Sequence, residues 1–128
     1  MNVFILPFGK ISILESNIAE IVINDGVIMD EEKIIISQEL IKTHLQIPFS
    51  FLVNKEHTYS YTFEAQLAMG NLKGILSIAA VIKHQRAEIA TKIIRDVNRH
   101  ENWNIKFFRE RTAALDWLQS TQNNKRTL

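Results

Sequence analysis

The C-terminal part of the chain contains a short apolar strand that runs directly into a helical pattern. Trp103–Phe108 is the predicted strand, and apolar residues then recur at helical spacing from Ala114 to Leu118. The same order occurs twice more upstream, with predicted strands Phe49–Val53 and Ile75–Ile82 followed by predicted helices Tyr61–Met69 and Gln85–Arg99. Strands that alternate with helices lie parallel in one sheet and are joined by right-handed crossovers, so the alternation predicts an α/β fold.

The N-terminal part predicts a different kind of strand pairing. Lys10–Leu14 and Ile18–Ile23 are predicted strands, and Ser16-Asn17 between them is typical of the turn of an antiparallel hairpin. Asp30 is a predicted helix N-cap, and the helix after it ends near His44. The predicted fold class is therefore α/β, with an N-terminal β-hairpin, alternating β/α units, and a mixed, largely parallel sheet packed with four helices.

Length and composition limit the class of protein. A chain of 128 residues buries a hydrophobic core without disulfides, and we expect one domain over residues 1–121 with a polar, flexible tail at 122–128. The net charge of +1 gives no reason to expect a nucleic-acid partner, and no apolar run is long enough to span a membrane. Without cysteine there are no disulfides and there is no thiolate catalysis, which suits a reducing cytoplasm. We therefore expect a cytoplasmic protein.

The usual motifs of metal, nucleotide and hydrolase sites are absent from the sequence. The four histidines form no i,i+4 pair and no HExxH motif. The four glycines form neither GxGxxG nor GxxxxGK[ST], and no serine lies in a GxSxG motif. We therefore expect no metal, no cofactor and no catalytic residue, and a protein that is not an enzyme.

One polar segment, Asn54–Thr62, follows the predicted carboxyl end of a parallel strand, where open α/β sheets bind ligands. Its predicted partner- or ligand-binding residues are Asn54, His57, Tyr59, Ser60, Tyr61 and Thr62. The alternative is an ordinary solvated loop in which Tyr59 and Tyr61 cover the edge of the core. A further alternative is an enzyme site built around Glu56, His57 and Tyr59.

Several segments carry a resemblance to a known family, and they are Asn24–Ile28, Phe51–Val53, Ile78–Ile82, Phe107-Phe108 and Ala114–Leu118. In this order the chain resembles the SpoIIAA-like proteins, also described as STAS or SEC14-like domains, and in particular bacterial members of unknown function. The resemblance covers roughly residues 10 to 120. It implies a short βα superhelix that binds a protein partner or a small apolar ligand rather than catalysing a reaction.

The resemblance also directs attention to phosphorylation. In anti-sigma-factor antagonists of this family, a kinase phosphorylates a serine that follows an aspartate at the start of the helix after the strand corresponding to Phe49–Asn54. A gap-free count places Thr62-Phe63 at that position here, and the usual following glycine is absent. Ser60 and Thr62 nevertheless supply hydroxyls at a predicted helix N-terminus, so phosphorylation there is a prediction that departs from the family motif.

Two functions follow as hypotheses. The first is a regulatory module that presents Asn54–Thr62 to a protein partner of unknown identity. The alternative is a carrier of a small apolar molecule or lipid, with a cavity of about 300 Å³ or more that is lined by residues such as Phe51, Phe63, Leu67 and Ile93. The sequence also predicts a possible homodimer, because Lys10–Leu14 is expected to be an exposed edge strand.

Overall fold

The computed structural model describes residues 2–127, with side chains up to residue 124. Within this range it contains four α-helices: α1 (Glu31–His44), α2 (Phe63–Ala68), α3 (Gln85–Val97) and α4 (Arg111–Thr127). The strands are β1 (Asn2–Leu6), β2 (Gly9–Glu15), β3 (Ile18–Ile23), β4 (Ile28–Met29), β5 (Phe49–Lys55), β6 (Ser60–Tyr61), β7 (Ile75–Ile82) and β8 (Ile105–Phe108).

Six strands form the main sheet, in the order β1-β2-β3-β5-β7-β8. The first three pair antiparallel, while β3, β5, β7 and β8 pair parallel through helical crossovers. β4 and β6 form a separate parallel pair. The predicted α/β class, the hairpin at Ser16-Asn17 and the largely parallel sheet are therefore confirmed.

The two faces of the sheet carry different helices because side chains alternate along each strand. On one face α4 buries Ala114 and Leu118 against strand residues such as Leu52 and Val81. Trp117 packs on Phe108 at 5.7 Å between ring centroids, which confirms that the last helix docks through its apolar residues. The other face carries α1, α2 and α3 with their loops, and its buried residues include Ile11, Ala19, Ile41, Leu45, Phe51 and Leu72.

The predicted edge strand is wrong. β1 pairs with β2 along its whole length, so Lys10–Leu14 has a neighbour on each side, and the edge strand on this side of the sheet is Asn2–Leu6. On that edge Val3 and Ile5 are exposed. An edge-to-edge homodimer, if it forms, would therefore use β1 rather than β2.

The predicted tail also differs from the structure. α4 continues through residues 122–127, and the side chain of Gln122 is only 4% exposed. Gln122 is held by hydrogen bonds to Asn17 and Ser50, which lie at the loop before β3 and in β5. The C-terminal part is thus helical as far as Thr127, and Leu128 lies outside the described residues.

Candidate functional site

The carboxyl ends of β5 and β7 meet the start of α3 at an open cleft, as the parallel arrangement of these strands requires. We call it the strand-end cleft, and its volume is about 590 Å³. Its lining comes from the end of β5, the segment that follows it, and the first turns of α3. The residues are Lys55, His57, Thr58, Tyr59, Tyr61, His84, Gln85, Arg86, Ala87 and Ala90.

Lys55 is unusual in this cleft, because a lysine is normally exposed and this one is only 4% exposed. It is the last residue of β5 and faces the same side of the sheet as Phe51 and Val53. Its Nζ donates a hydrogen bond to Tyr59 Oη at 3.1 Å and lies 4.9 Å and 5.3 Å from the ring centres of Tyr59 and Tyr61. No ion pair joins it to any carboxylate among residues 2–124.

The two tyrosines extend this polar contact. Tyr61 Oη donates to Tyr59 Oη at 3.4 Å, and the rings meet edge to face with 5.5 Å between centroids. Burial, and then the nearby Tyr61, raises the pKa of Tyr59 well above its ordinary value of 10.0. Tyr59 is therefore a neutral hydroxyl at physiological pH, and its own proton is available for donation.

The other nitrogen-containing side chains of the cleft come from the N-terminus of α3 and from the segment after β5. His84 is the N-cap residue, and its side chain makes no capping hydrogen bond. Arg86 follows in the first turn, and His57 lies across the cleft. Among the described residues that line the cleft there is no Asp or Glu. The cleft therefore combines Lys and Arg side chains with the positive end of a helix dipole.

The strand-end cleft borders a smaller apolar chamber between the sheet and the helices. The chamber has a volume of about 120 Å³, and its lining includes Lys55 and Tyr61, which it shares with the cleft. Most of the remaining lining is aliphatic or aromatic and includes Ile21, Ile41, Phe51, Ile78, Ile94 and Trp103. Of the four residues predicted to line a carrier cavity, Phe51 does so, but Phe63, Leu67 and Ile93 are exposed at the surface.

The predicted site residues do not all lie at one site. His57, Tyr59 and Tyr61 line the cleft, whereas Asn54 points to the other face of the sheet and donates to Glu20 Oε2 at 3.1 Å. Ser60 is exposed in β6, and Thr62 is the N-cap of α2. The cap forms because Thr62 Oγ1 accepts a hydrogen bond from the Ala65 N–H at 3.1 Å. The segment is thus partly a strand, and Tyr59 and Tyr61 pack against a buried apolar cluster, as the loop alternative expected of the core edge.

The proposed enzyme grouping is only partly assembled. His57 Nε2 lies 3.6 Å from Glu56 Oε1, but the hydroxyl of Tyr59 contacts Lys55 and Tyr61 instead. In the described part of the chain, no group of three or more His, Asp and Glu side chains is placed to hold a metal ion.

A second set of candidate residues is exposed on α2 and α3, outside the lining of the cleft. It consists of Phe63 and Leu67 on α2 and of Ile89 and Ile93 on α3, which are 61%, 48%, 50% and 50% exposed. We call these four residues the α2–α3 face. The two helices are joined at their C-terminal ends, where Asn98 Nδ2 donates to the Gln66 carbonyl at 2.8 Å.

The i,i+4 spacing of Phe63 and Leu67, and of Ile89 and Ile93, is typical of a buried helix face, and the carrier hypothesis placed three of these residues around a cavity. The structure buries Ala65 and Ala68 of α2 and Thr91 and Ile94 of α3 instead. Lys55 was also missed as a site residue. The sequence does contain a sign of this: Lys55 lies two residues after Val53 and four after Phe51. Alternate residues of a strand face the same side of the sheet, so this lysine faces the interior.

Comparisons with known proteins agree with this architecture. No protein-family model matches the chain, and no curated protein matches it. Among solved structures, it is similar to an uncharacterised protein of the DUF3478 family from Shewanella loihica PV-4, described as having a SpoIIAA-like fold. The match covers 86% of this chain and 91% of that chain, with 17% sequence identity and a TM-score of 0.59. The fold is SpoIIAA-like.

The SpoIIAA-like fold confirms the resemblance that the sequence suggested. At 17% identity the likeness establishes the fold alone, so function has to be argued from the surfaces described above.

None of the helices in the described part of the chain has the length and apolar character needed to cross a membrane.

Proposed function

We propose that this SpoIIAA-like chain is a regulatory module, not an enzyme, that binds a protein partner through the α2–α3 face. The supporting observation is the exposure of Phe63, Leu67, Ile89 and Ile93 on two adjoining helices. Large apolar side chains grouped on the surface are stabilised when a partner removes them from water. Phe63 is the expected anchor, because aromatic residues contribute strongly at the centre of interfaces.

The position of the face relative to Thr62 supports a regulatory role. Thr62 caps α2 and precedes Phe63 directly, so a charge added at Thr62 would lie beside the proposed anchor. Ser60, the other predicted phosphorylation site, lies two residues before Thr62 and is exposed. A phosphate next to an apolar contact opposes binding, because it must be desolvated.

The alternative functions have less support. An apolar carrier needs a cavity of about 300 Å³, whereas the chamber holds about 120 Å³. The enzyme site predicted around Glu56, His57 and Tyr59 has less support, because Tyr59 Oη contacts Lys55 and Tyr61. A cytoplasmic location and a homodimer remain predictions.

The proposal is tested by quantitative affinity purification of the full chain from its source organism. We expect at least one protein to be recovered with the wild type and lost with Phe63→Ser and with Ile93→Ser. The matched control is Ile5→Ser, which removes an apolar side chain of 76% exposure from β1, away from the α2–α3 face. Binding between the purified partner and each variant then measures the affinity directly.

Thermal unfolding separates loss of binding from loss of fold. Phe63, Ile93 and Ile5 are all exposed, so we expect each serine variant to unfold close to the wild type. Identical sets of recovered proteins for all variants would contradict the proposal, as would a partner whose recovery depends on Ile5 and not on Phe63.

A charge at Thr62 provides a separate prediction for the regulatory role. We expect Thr62→Asp to weaken partner binding without unfolding the domain, since aspartate also caps helices well. Thr62→Ala removes the hydrogen bond to the Ala65 N–H, and we expect a loss of about 1 kcal/mol in the free energy of unfolding with partner binding retained. If Thr62→Asp and Thr62→Ala bind the purified partner equally well, the switch is excluded.

A further inference from the structure

The buried ammonium of Lys55 lacks the partner that such a group normally has. Removing a charged ammonium from water is costly unless an opposite charge or several acceptors replace the water. Among residues 2–124, the one hydrogen-bond acceptor that Lys55 contacts is the neutral oxygen of Tyr59, at 3.1 Å. The ammonium has three donors, so the site has capacity for a further acceptor.

We propose that the strand-end cleft binds a small molecule through an anionic oxygen group, a carboxylate or a phosphate, with Lys55 as the central cation. The cleft is large enough at about 590 Å³, and Lys55 forms part of its wall. This site is separate from the protein-binding face proposed above, so either proposal stands or fails without the other.

The tyrosines beside Lys55 fit an anionic ligand. Tyr59 Oη accepts hydrogen bonds from Lys55 and Tyr61, so its own hydrogen is directed to a further acceptor. The ring faces near the ammonium hold the cation in place through cation–π contact while leaving its remaining donors for the ligand. An oxyanion at this point receives charge-assisted hydrogen bonds, which are stronger than neutral ones.

The part of the cleft formed by α3 carries positive charge, which is complementary to an anionic ligand. Arg86 and the first turn of α3 line it, and His84 does not cap that turn with its side chain. Amide N–H groups at a helix N-terminus bind anions well when a second cation accompanies them. No acidic side chain among the described lining residues opposes an anion.

The apolar chamber indicates what the rest of the ligand resembles. It adjoins the cleft at Lys55 and Tyr61, and its volume of about 120 Å³ suits only a few carbon atoms. A ligand with a short apolar group next to its anionic head would use both spaces.

The test uses inorganic phosphate, acetate and hexanoate as probes for the full chain, at constant ionic strength in chloride. Thermal unfolding and amide NMR shifts of residues 85–87 report binding. Phosphate also stabilises proteins by exclusion from their surface, so binding is taken as the difference between the wild type and Lys55→Met. Methionine preserves the volume of the lysine stem and removes the buried charge, which favours a folded variant.

We expect at least one of the three anions to raise the unfolding temperature and to shift the amide signals of residues 85–87. In Lys55→Met its affinity falls by at least about tenfold. Arg86→Gln weakens binding as well, while Arg95→Gln, on the same helix but outside the cleft, leaves it unchanged. Binding of phosphate alone would identify the ligand's anionic group as a phosphate, and binding of acetate would identify it as a carboxylate. Tighter binding of hexanoate than of acetate would show that the apolar chamber accepts the ligand's carbon chain.

Two results would overturn the proposal. One is the absence of any amide shift at residues 85–87 with all three anions. The other is equal affinity of the wild type and a folded Lys55→Met for the anion that binds.

Discussion

At the residue scale, the carboxylate of Glu20 joins three elements. Arg111 of α4 donates from Nε to both carboxylate oxygens at 3.1 Å and from Nη2 to Oε1 at 2.8 Å. Asn54 of β5 donates to Oε2 at 3.1 Å. Glu20 and Arg111 lie 91 residues apart in the chain, so no local sequence pattern predicts their contact.

This contact predicts a pH-dependent stability. Burial raises the pKa of Glu20, but hydrogen bonds from Arg111 and Asn54, with the charges of Arg111 and Lys10, lower it below the ordinary 4.5. A carboxyl whose pKa is lower in the folded state contributes stability above its unfolded-state pKa and loses it as the pH falls through the folded-state value. We expect Glu20→Gln to lose about 1 kcal/mol at neutral pH, since Arg111 is partly exposed to water.

Urea denaturation at neutral pH and well below pH 4.5 measures this effect. The difference between the wild type and Glu20→Gln should shrink at the lower pH. Glu39→Gln is the control, because Glu39 pairs with Lys42 at 3.2 Å on an exposed helix surface and should contribute little at either pH. An unchanged difference at the two pH values would contradict the assignment.

At the element scale, the last turns of α4 depend on a buried polar network. Gln122 donates to Ser50 Oγ at 2.9 Å and accepts from Asn17 Nδ2 at 2.8 Å. Ser50 and Ser77 lie 2.7 Å apart, and Ser77 lies 2.7 Å from Thr121. Residues 122–127 contain no apolar side chain, so the sequence predicted a tail. Gln122 and Thr121 contact Ser50 of β5 and Ser77 of β7, and these contacts hold the helix past the predicted boundary.

Gln122→Ala tests the contribution of this network. It leaves Asn17 Nδ2 without its acceptor and removes one hydrogen bond of Ser50 Oγ, which keeps its contact with Ser77, and we expect a loss of about 2 kcal/mol in the free energy of unfolding. Asn123→Ala changes an exposed neighbour on the same helix and should stay within about 0.5 kcal/mol of the wild type. Equal stability of the two variants in chemical denaturation would show that the network contributes nothing.

At the scale of the whole molecule, the order of the elements was predictable and the surfaces were not. The alternation of strands and helices fixes parallel pairing and helical crossovers by general rules of chain connection. β1 was missed because Val3–Leu6 is uniformly apolar rather than alternating, and β6 was missed because it contains only two residues. These short segments form only because neighbouring strands supply their hydrogen bonds.

The candidate sites depend on this tertiary arrangement. The i,i+4 spacing of Ile89 and Ile93 is typical of a buried helix face, but the residues that α3 buries are Thr91 and Ile94. His57, Tyr59 and Tyr61 were predicted and do meet in one cleft. Lys55 joins them from β5. Its parity with Phe51 and Val53 gives the face of the sheet, but its burial also depends on the central position of β5 in the sheet, which a linear pattern does not contain.

Site-specific photo-crosslinking in the source organism tests the central claim most directly. A photoreactive phenylalanine analogue is placed at Phe63 in one chain and at Ile5 in another, since both positions are exposed. We expect the chain labelled at Phe63 to give a discrete crosslink to another protein, and the chain labelled at Ile5 to give no crosslink to that protein. Crosslinking from Phe63 only to a second copy of the same chain, or to no protein, would contradict a partner-binding role for the α2–α3 face.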